Sequence, residues 1–515
     1  MDHRHGYSGG SGTGCRGERG GIVTDTSTTR FPATSTDMTN ATIRAAAAAM
    51  SVWSATSREE RSTILRRLAS ELAVSSDDLV PITDAETGLG TGRLVGELAR
   101  TVHQLRMFAD VVDEGAYLEV TIDHADPTAP VPIVGDIRRW LVPLGPVAVY
   151  SASNFPLAFS VLGGDTAAAL AAGCTVVVKA HQGHPRTSEL VHEIAARVFR
   201  EAGMPEGVLG LVHGRDAGRT LICHPEISAA GFTGSVSGGR ALADLAHDRP
   251  HPIPFFGELG SQNTLVISPG AAETRGADIA EGLAASVLLG NGQFCTKPGL
   301  VLLPNSASGQ RILEHLADSI RTASVSRLLT TAIQDGFISG SRELEGSTGI
   351  RLVARGNSDA VDGLAPTLWE CAPEHLDGVA LEECFGPTAV VVQYGDEDEL
   401  LGLVRKVPPA LTASFHTETS EQSLSKVLLG TLTPKAGRVV ANQYPTGVAV
   451  TWSMHHGGPS PSTTDSQHTS VGATAIRRFL RPVAFQNVDP ALLPDELQDT
   501  TELAVPRRVD GVLIS

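Results

Sequence analysis

The chain has 515 residues, 41% of them hydrophobic, with 54 glycines, a mean hydropathy of +0.02 and a formal net charge of −17. That length exceeds what one hydrophobic core serves, so two or more lobes are expected, and the composition is that of a globular α/β chain rather than a fibrous or membrane one. The acidic balance argues against a phosphate-backbone partner, so nucleic acid is not an expected ligand.

The six cysteines (Cys15, Cys174, Cys223, Cys295, Cys371 and Cys384) are scattered, with no C-x-x-C pair and no compact Cys/His set. Neither a disulfide framework nor a metal site is indicated, and a reducing cytoplasm is the expected location. The longest apolar stretch, residues 161–178, is broken by Asp165 and by glycines, so no membrane span is expected.

Residues 1–36 are rich in Gly, Ser, Thr and Arg and lack an apolar signal segment, which predicts a disordered extension. Helical periodicity begins near Met38, runs through residues 42–56 and 58–74, and returns over 92–113. Residues 117–142 become extended and Pro-interrupted, with 133–140 suited to hairpin strands. Strand and helix then alternate: strands over 147–150, 175–179, 207–212 and 227–233, helices over 163–172, 187–201 and 217–223. Such alternation predicts a parallel sheet with helices on both faces and ligands at the strand carboxyl ends. The second half is less regular, with strands expected at 300–303 and 389–393 and a polar Gly/Pro/His/Ser stretch over 457–472.

Several of these strand ends carry polar or reactive groups. Lys179 closes a very apolar strand, where a cation can hold a ribose hydroxyl or a phosphate, or stand as a solvated lysine. Phe232-Thr233-Gly234-Ser235-Val236-Ser237-Gly238-Gly239 leads from a strand through a glycine turn into a helix. Backbone amides there suit a diphosphate, although the Gly234/Gly239 spacing is not the G-x-G-x-x-G fingerprint and, taken alone, the segment reads better as a structural turn. Asn154, ahead of Phe155-Pro156, can donate to a developing oxyanion or make an ordinary turn. Cys295 lies in Gly290-Asn291-Gly292-Gln293-Phe294-Cys295-Thr296-Lys297-Pro298-Gly299, and Glu258 lies between Gly257 and Leu259-Gly260. A cysteine attacks as its thiolate and a carboxylate serves as general base, so the pair suggests covalent catalysis. Singly, they read as a small buried residue and a loop ion-pair partner.

With Asn154, Lys179, the Gly234/Gly239 turn, Glu258, Cys295 and Glu383-Cys384-Phe385-Gly386-Pro387 in this order, the chain resembles the aldehyde dehydrogenase superfamily over residues 38–490. Within it, the segments around Asn154, Gly163-Gly164-Asp165-Thr166, Lys179-Ala180-His181 and Phe256-Gly257-Glu258-Leu259-Gly260-Ser261 are most like those of α-ketoglutaric semialdehyde (2,5-dioxopentanoate) dehydrogenases. NADP-dependent fatty aldehyde dehydrogenases are the alternative. The chain departs from the common Glu-Leu-Gly-Gly-Lys at Ser261-Gln262.

The resemblance implies a Rossmann-type cofactor domain over 37–116 and 143–280 and an α/β catalytic domain over 281–474. It also implies a small bridging β-hairpin element over 117–142 and 475–490 that joins subunits into a homodimer or homotetramer, and a C-terminal tail over 491–515. Cys295 would attack an aldehyde to give a thiohemiacetal, with the Asn154 amide and the Cys295 N–H holding the oxyanion. Hydride would pass to a nicotinamide, and water activated by Glu258 would hydrolyse the thioester. Glu383 would hold the nicotinamide ribose and Phe385 would pack nearby, while Gly234, Ser235 and Gly239 would meet the diphosphate. Gln182 stands where NAD-preferring members carry a glutamate, and Lys179 with Arg215 can pair with a 2′-phosphate, so NADP is expected, with NAD possible.

A dioxo acid carries a carboxylate that needs a cationic or hydrogen-bonding contact. Arg100, Gln104 and Arg106 are candidates on the helix that borders the family's substrate entrance; periodicity puts Arg100 and Gln104 on one face and Arg106 off it. A thiol-based acyl transferase or thioesterase would also use Cys295 and a base, but would need neither Lys179 nor Glu383.

Overall fold

The computed structural model describes residues 31–325, 327–358, 364–501 and 504–514. Four helices come first: Thr36–Ala55, Arg58–Val74, Ser76–Thr87 and Thr91–Glu114. Ser35 and Ser57 cap the first two by accepting from Met38 N–H and Glu60 N–H, donors that a helix start leaves unpaired. The fourth ends on Gly115 at φ 76°, a left-handed stop that glycine takes without strain. Residues 31–35 depart from the extension expected over 1–36. Thr34 N–H donates to His213 O at 3.0 Å and Thr34 Oγ1 accepts from His213 N–H at 2.9 Å, which ties them to a strand end. The rest of that expected extension, 1–30, lies outside the described residues.

The first sheet has the order Leu209–Val212, Val176–Lys179, Val147–Tyr150, Ala229–Thr233, Phe255–Glu258, parallel throughout. Counted along the chain this is 3-2-1-4-5, one doubly wound half in which the strand order reverses beside the first strand and opens a crevice at the carboxyl edge. Its strands read as unbroken apolar runs because helices cover both faces; one of them, Gly164–Ala172, is buried at every position.

The second sheet has seven strands: Ile350–Arg355, Thr367–Cys371, Thr388–Tyr394, Pro298–Pro304, Asn263–Ile267, Ala410–His416 and Ala436–Ala441, parallel except for the first pair. The boundary expected at 280 is therefore displaced. Asn263–Ile267 lies at the interior of this sheet, where Leu265 and Ile267 share a core with Val301 and Leu303. Only Leu259 to Gln262 separate the last strand of the first sheet from it, which brings Glu258 close to the strand that follows Cys295.

The third sheet has the order Leu480–Gln486, Ile137–Pro143, Val120–Asp123, Arg507–Val509, Val512–Ile514. The bridging element expected as a hairpin over 117–142 and 475–490 supplies three of these strands. The region expected as a tail over 491–515 supplies the other two, with Arg507–Val509 parallel to Val120–Asp123. His124 fastens them: Nδ1 lies 2.8 Å from Asp510 Oδ2 and Nε2 lies 3.1 Å from Asp499 Oδ1. Among the described residues no helix is long and apolar enough to cross a membrane.

Candidate active site

The first sheet delivers its polar groups at one edge: Asn154 just beyond Val147–Tyr150, Lys179 at the end of its strand, Gly234 just beyond Ala229–Thr233, and Glu258 closing Phe255–Glu258. Cys295 reaches the same place from the turn before Pro298–Pro304. Gly290, Asn291 and Gly292 take φ of 56°, 56° and 66°, and a Cβ on Gly292 would stand 2.1 Å from the Gly386 carbonyl oxygen. Only glycine lets the cysteine turn press this closely on the 383–387 loop.

Two amides hold that turn. Asn263 Nδ2 donates to the carbonyls of Cys295 and Lys297 at 2.8 and 3.0 Å, and Asn154 Nδ2 donates to Gln293 O at 3.0 Å. The Asn154 amide keeps a second hydrogen for a ligand. Its own loop is gripped by the helix Thr91–Glu114: Arg93 donates to Asn154 O at 2.6 Å, and Glu97 Oε1 accepts from Leu157 and Ala158 N–H at 2.8 and 3.0 Å.

A third member stands between thiol and carboxylate. His456 Nε2 lies 3.5 Å from Cys295 Sγ and 2.9 Å from Glu258 Oε1, and Ser470 Oγ donates to Glu258 Oε2 at 2.5 Å. His456 Nδ1 is buried with no hydrogen-bond partner, so the ring hydrogen belongs on Nε2, where the sulfur accepts and the carboxylate lies alongside. Burial raises the Glu258 carboxyl, but His456 and the Ser470 hydroxyl outweigh it and hold the group below its ordinary range. Burial and then the Glu258 charge push the Cys295 thiol well above its ordinary value. The resting pair is therefore a thiol beside a carboxylate.

His456 is not among the sequence-derived candidates. It lies between the strand Ala436–Ala441 and the turn Ala473–Phe479, where no periodicity exists, and its one signal is the dipeptide His455-His456 at the head of the Gly/Pro/His/Ser stretch. Asn263 was equally invisible, a polar residue at the start of a buried strand. The sequence shows no metal-ligand spacing, yet Glu258, Cys295 and His456 each place one ligand atom within 4.8 Å of the others.

A cavity of about 170 Å³ opens over the thiol, lined by Arg100, Phe155, Phe159, Phe294, Val448 and His456 among others. The Arg100 guanidinium lies 5.7 and 5.1 Å from the Phe155 and Phe159 ring centres, and its Nε and Nη2 are buried without hydrogen-bond partners. Burial lowers its pKa, with Glu97, Cys295 and Glu258 opposing. Gln104 is buried elsewhere: a Cβ on Gly164 would stand 3.2 Å from its Nε2 and 3.3 Å from Ser470 O. Arg106 is exposed, because six residues of a 3.6-residue helix carry it away from the face of Arg100. Of the three basic or amide candidates, the structure brings only Arg100 to the cavity.

The other candidates spread along the same edge. Burial lowers the Lys179 pKa and the nearby Arg215 lowers it further; among the described residues neither makes an ion pair with an acid. Gln182 is exposed. Ser235 caps the helix Val236–His247 by accepting from Gly238 N–H at 3.2 Å. A Cβ on Gly239 would stand 2.2 Å from Leu259 Cδ2 and 3.0 Å from Phe232 Cε1, so a larger residue there would displace those side chains. Glu383 lies against Gly260, its carboxyl pushed up to about 7 by burial with Lys297 opposing, and Phe385 follows it, half-buried. Two neighbouring cations, a capped helix start and the Glu383 carboxyl along one crevice fit a nicotinamide dinucleotide.

The aldehyde dehydrogenase family profile matches residues 22–482. The chain is 42% identical over 463 residues to the α-ketoglutaric semialdehyde dehydrogenase of Acinetobacter baylyi, covering 89% of this chain and 88% of the relative. It is 44% identical over 457 residues to the α-ketoglutaric semialdehyde dehydrogenase 2 of Azospirillum brasilense, covering 88% and 87%. Among solved structures, a Thermus 1-pyrroline-5-carboxylate dehydrogenase with bound NAD shares the fold at a TM-score of 0.73 and 23% identity, covering 87% of this chain and 85% of that one. The chain belongs to the aldehyde dehydrogenase family.

Proposed function

We propose that this chain oxidises 2,5-dioxopentanoate to 2-oxoglutarate with NADP. Arg100 carries the reading: an unpaired guanidinium on the wall of the cavity that holds the Cys295 thiol suits an aldehyde bearing a carboxylate. The names of the two similar dehydrogenases support the same substrate class.

In this reading Cys295 loses its proton to solvent through the cavity and attacks the aldehyde carbon as a thiolate, while His456 Nε2–H donates to the sulfur and Glu258 stays ionised. The free hydrogen of the Asn154 amide and the Cys295 N–H meet the thiohemiacetal oxyanion. Bound NADP supplies the hydride acceptor. Loss of hydride leaves a thioester on Cys295, and Glu258, already held as the anion, takes a proton from the water that cleaves it. Lys179 and Arg215 would hold the 2′-phosphate with Gln182 offering no repulsion, Ser235 with Gly234 would border the diphosphate, and Glu383 with Phe385 would hold the nicotinamide end. The free cysteines among the described residues are compatible with a cytoplasmic location, and the third sheet, with Leu480–Gln486 at its edge, is the proposed contact between subunits of a homodimer or homotetramer.

The three phenylalanines of the cavity favour a second reading, a medium-chain aldehyde. Kinetics across 2,5-dioxopentanoate, succinic and glutaric semialdehydes and hexanal, on the unaltered enzyme and on Arg100→Met, separate the two. Loss of a charged hydrogen bond corresponds to roughly 10- to 100-fold in KM for the dioxo acid, with hexanal unchanged. A higher kcat/KM for hexanal in the unaltered enzyme would overturn the proposal, and a clear NAD preference would overturn its cofactor half.

A further inference from the structure

Three potential ligand atoms converge at the bottom of the cavity: Cys295 Sγ, His456 Nε2 and Glu258 Oε1, all within 4.8 Å of one another. Two of the side chains are almost inaccessible, with Glu258 3% and His456 1% exposed, and Glu258 Oε1 has no hydrogen bond of good geometry despite lying 2.9 Å from the imidazole. A thiol, an imidazole and a carboxylate from three separate segments form a mixed soft and hard donor set with two crowded hydrogens, the thiol's and the ring's, among them. That is the donor set of a zinc site with an open fourth position.

We propose that Cys295, His456 and Glu258 form a binding site for a thiophilic divalent cation, zinc, whose occupation reversibly blocks the enzyme. A tetrahedral zinc takes sulfur at about 2.3 Å and imidazole nitrogen at about 2.0–2.1 Å, which sets those two ligands about 3.5 Å apart; Sγ and Nε2 are 3.5 Å apart here. The nitrogen-to-oxygen separation required is about 3.4 Å, so the carboxylate retreats from its 2.9 Å contact by a fraction of an ångström. Thiolate and carboxylate together supply two negative charges to match the ion, and Arg100 across the cavity limits the affinity. Binding forms the sulfur–, nitrogen– and oxygen–metal bonds, displaces water from the hydrated ion and releases the thiol proton to solvent. The ring hydrogen moves to Nδ1, and no electrons change hands. The sulfur lone pair is then engaged, so the aldehyde has no nucleophile.

Cobalt(II) is the probe. Titrated into the metal-free full-length protein, it should give one equivalent of a cobalt–thiolate charge-transfer band with visible tetrahedral absorption, displaced by zinc. The band should vanish in Cys295→Ser, weaken in His456→Ala and persist in Cys384→Ser. Zinc should also protect Cys295 of the unaltered protein from iodoacetamide, with EDTA restoring labelling, a readout that needs no variant to fold. A band of equal strength in Cys295→Ser, or full labelling of Cys295 under saturating zinc, would overturn the proposal.

Discussion

The strand ends of the first sheet and the irregular segment 442–472 both bring groups to Cys295, but they hold them by different means. Glu258 is opposite Thr233 in a parallel ladder, so the sheet fixes its backbone. His456 has no ladder. Its N–H donates to Thr469 Oγ1 at 2.8 Å, and its carbonyl accepts from Ser470 N–H at 2.8 Å and lies 3.0 Å from Ser470 Oγ. Hydroxyl groups there replace strand neighbours, and Ser470 also reaches Glu258, so one small side chain couples the two regions. A site assembled this way depends on its sheet for the carboxylate's position and on a few hydroxyls for the imidazole's.

Removing the atom on which both regions converge gives the largest effect: Cys295→Ala should lower aldehyde oxidation by at least about 10⁴-fold with the fold intact by circular dichroism. Next, His456→Phe should cost roughly 10²-fold in kcat. Because the Cys295 thiol is raised by burial and by Glu258, its alkylation rate should still climb above its ordinary value of 9.0 in the unaltered enzyme, and climb later in this variant. An unchanged alkylation profile would mean that the imidazole does not serve the sulfur. Ser470→Ala should cost about tenfold in kcat, a hydrogen bond to a charged group, and loosen residues 456–470 in hydrogen exchange while Phe255–Glu258 keeps its protection. Equal loosening of both would erase the contrast between ladder and clip.

The smallest effect lies far from the site, in the strands Arg507–Val509 and Val512–Ile514. Asp510 and then Asp499 raise the His124 pKa above its ordinary 6.5. A raised folded value means that this contribution is full below 6.5 and is lost as pH rises through the folded value. Hydrogen exchange of those strands should be slower at pH 6 than at pH 8, and His124→Ala should remove the difference.

Legibility followed the same divide. Val147–Tyr150 and Val176–Lys179 were readable to within a residue, because strands buried on both faces must be continuous apolar runs. The 3.6-residue period separated Arg106 from Arg100, though it could not show that Gln104 turns to Gly164 instead of the cavity. Asn263–Ile267 was missed because its first residue is a buried asparagine spent on carbonyls of the cysteine turn. The two terminal strands are three residues each and largely exposed, too short to show alternation. His456 carries no local pattern, since its position is set by contacts across the chain.

The most direct test is a single-turnover experiment with Glu258→Gln, 2,5-dioxopentanoate and NADP. Cys295 attack and hydride loss without deacylation predict a burst approaching one NADPH per chain, then slow turnover, with the acyl group on Cys295 by mass spectrometry. Full steady-state turnover, or a burst with the acyl group on any other residue, would contradict the account.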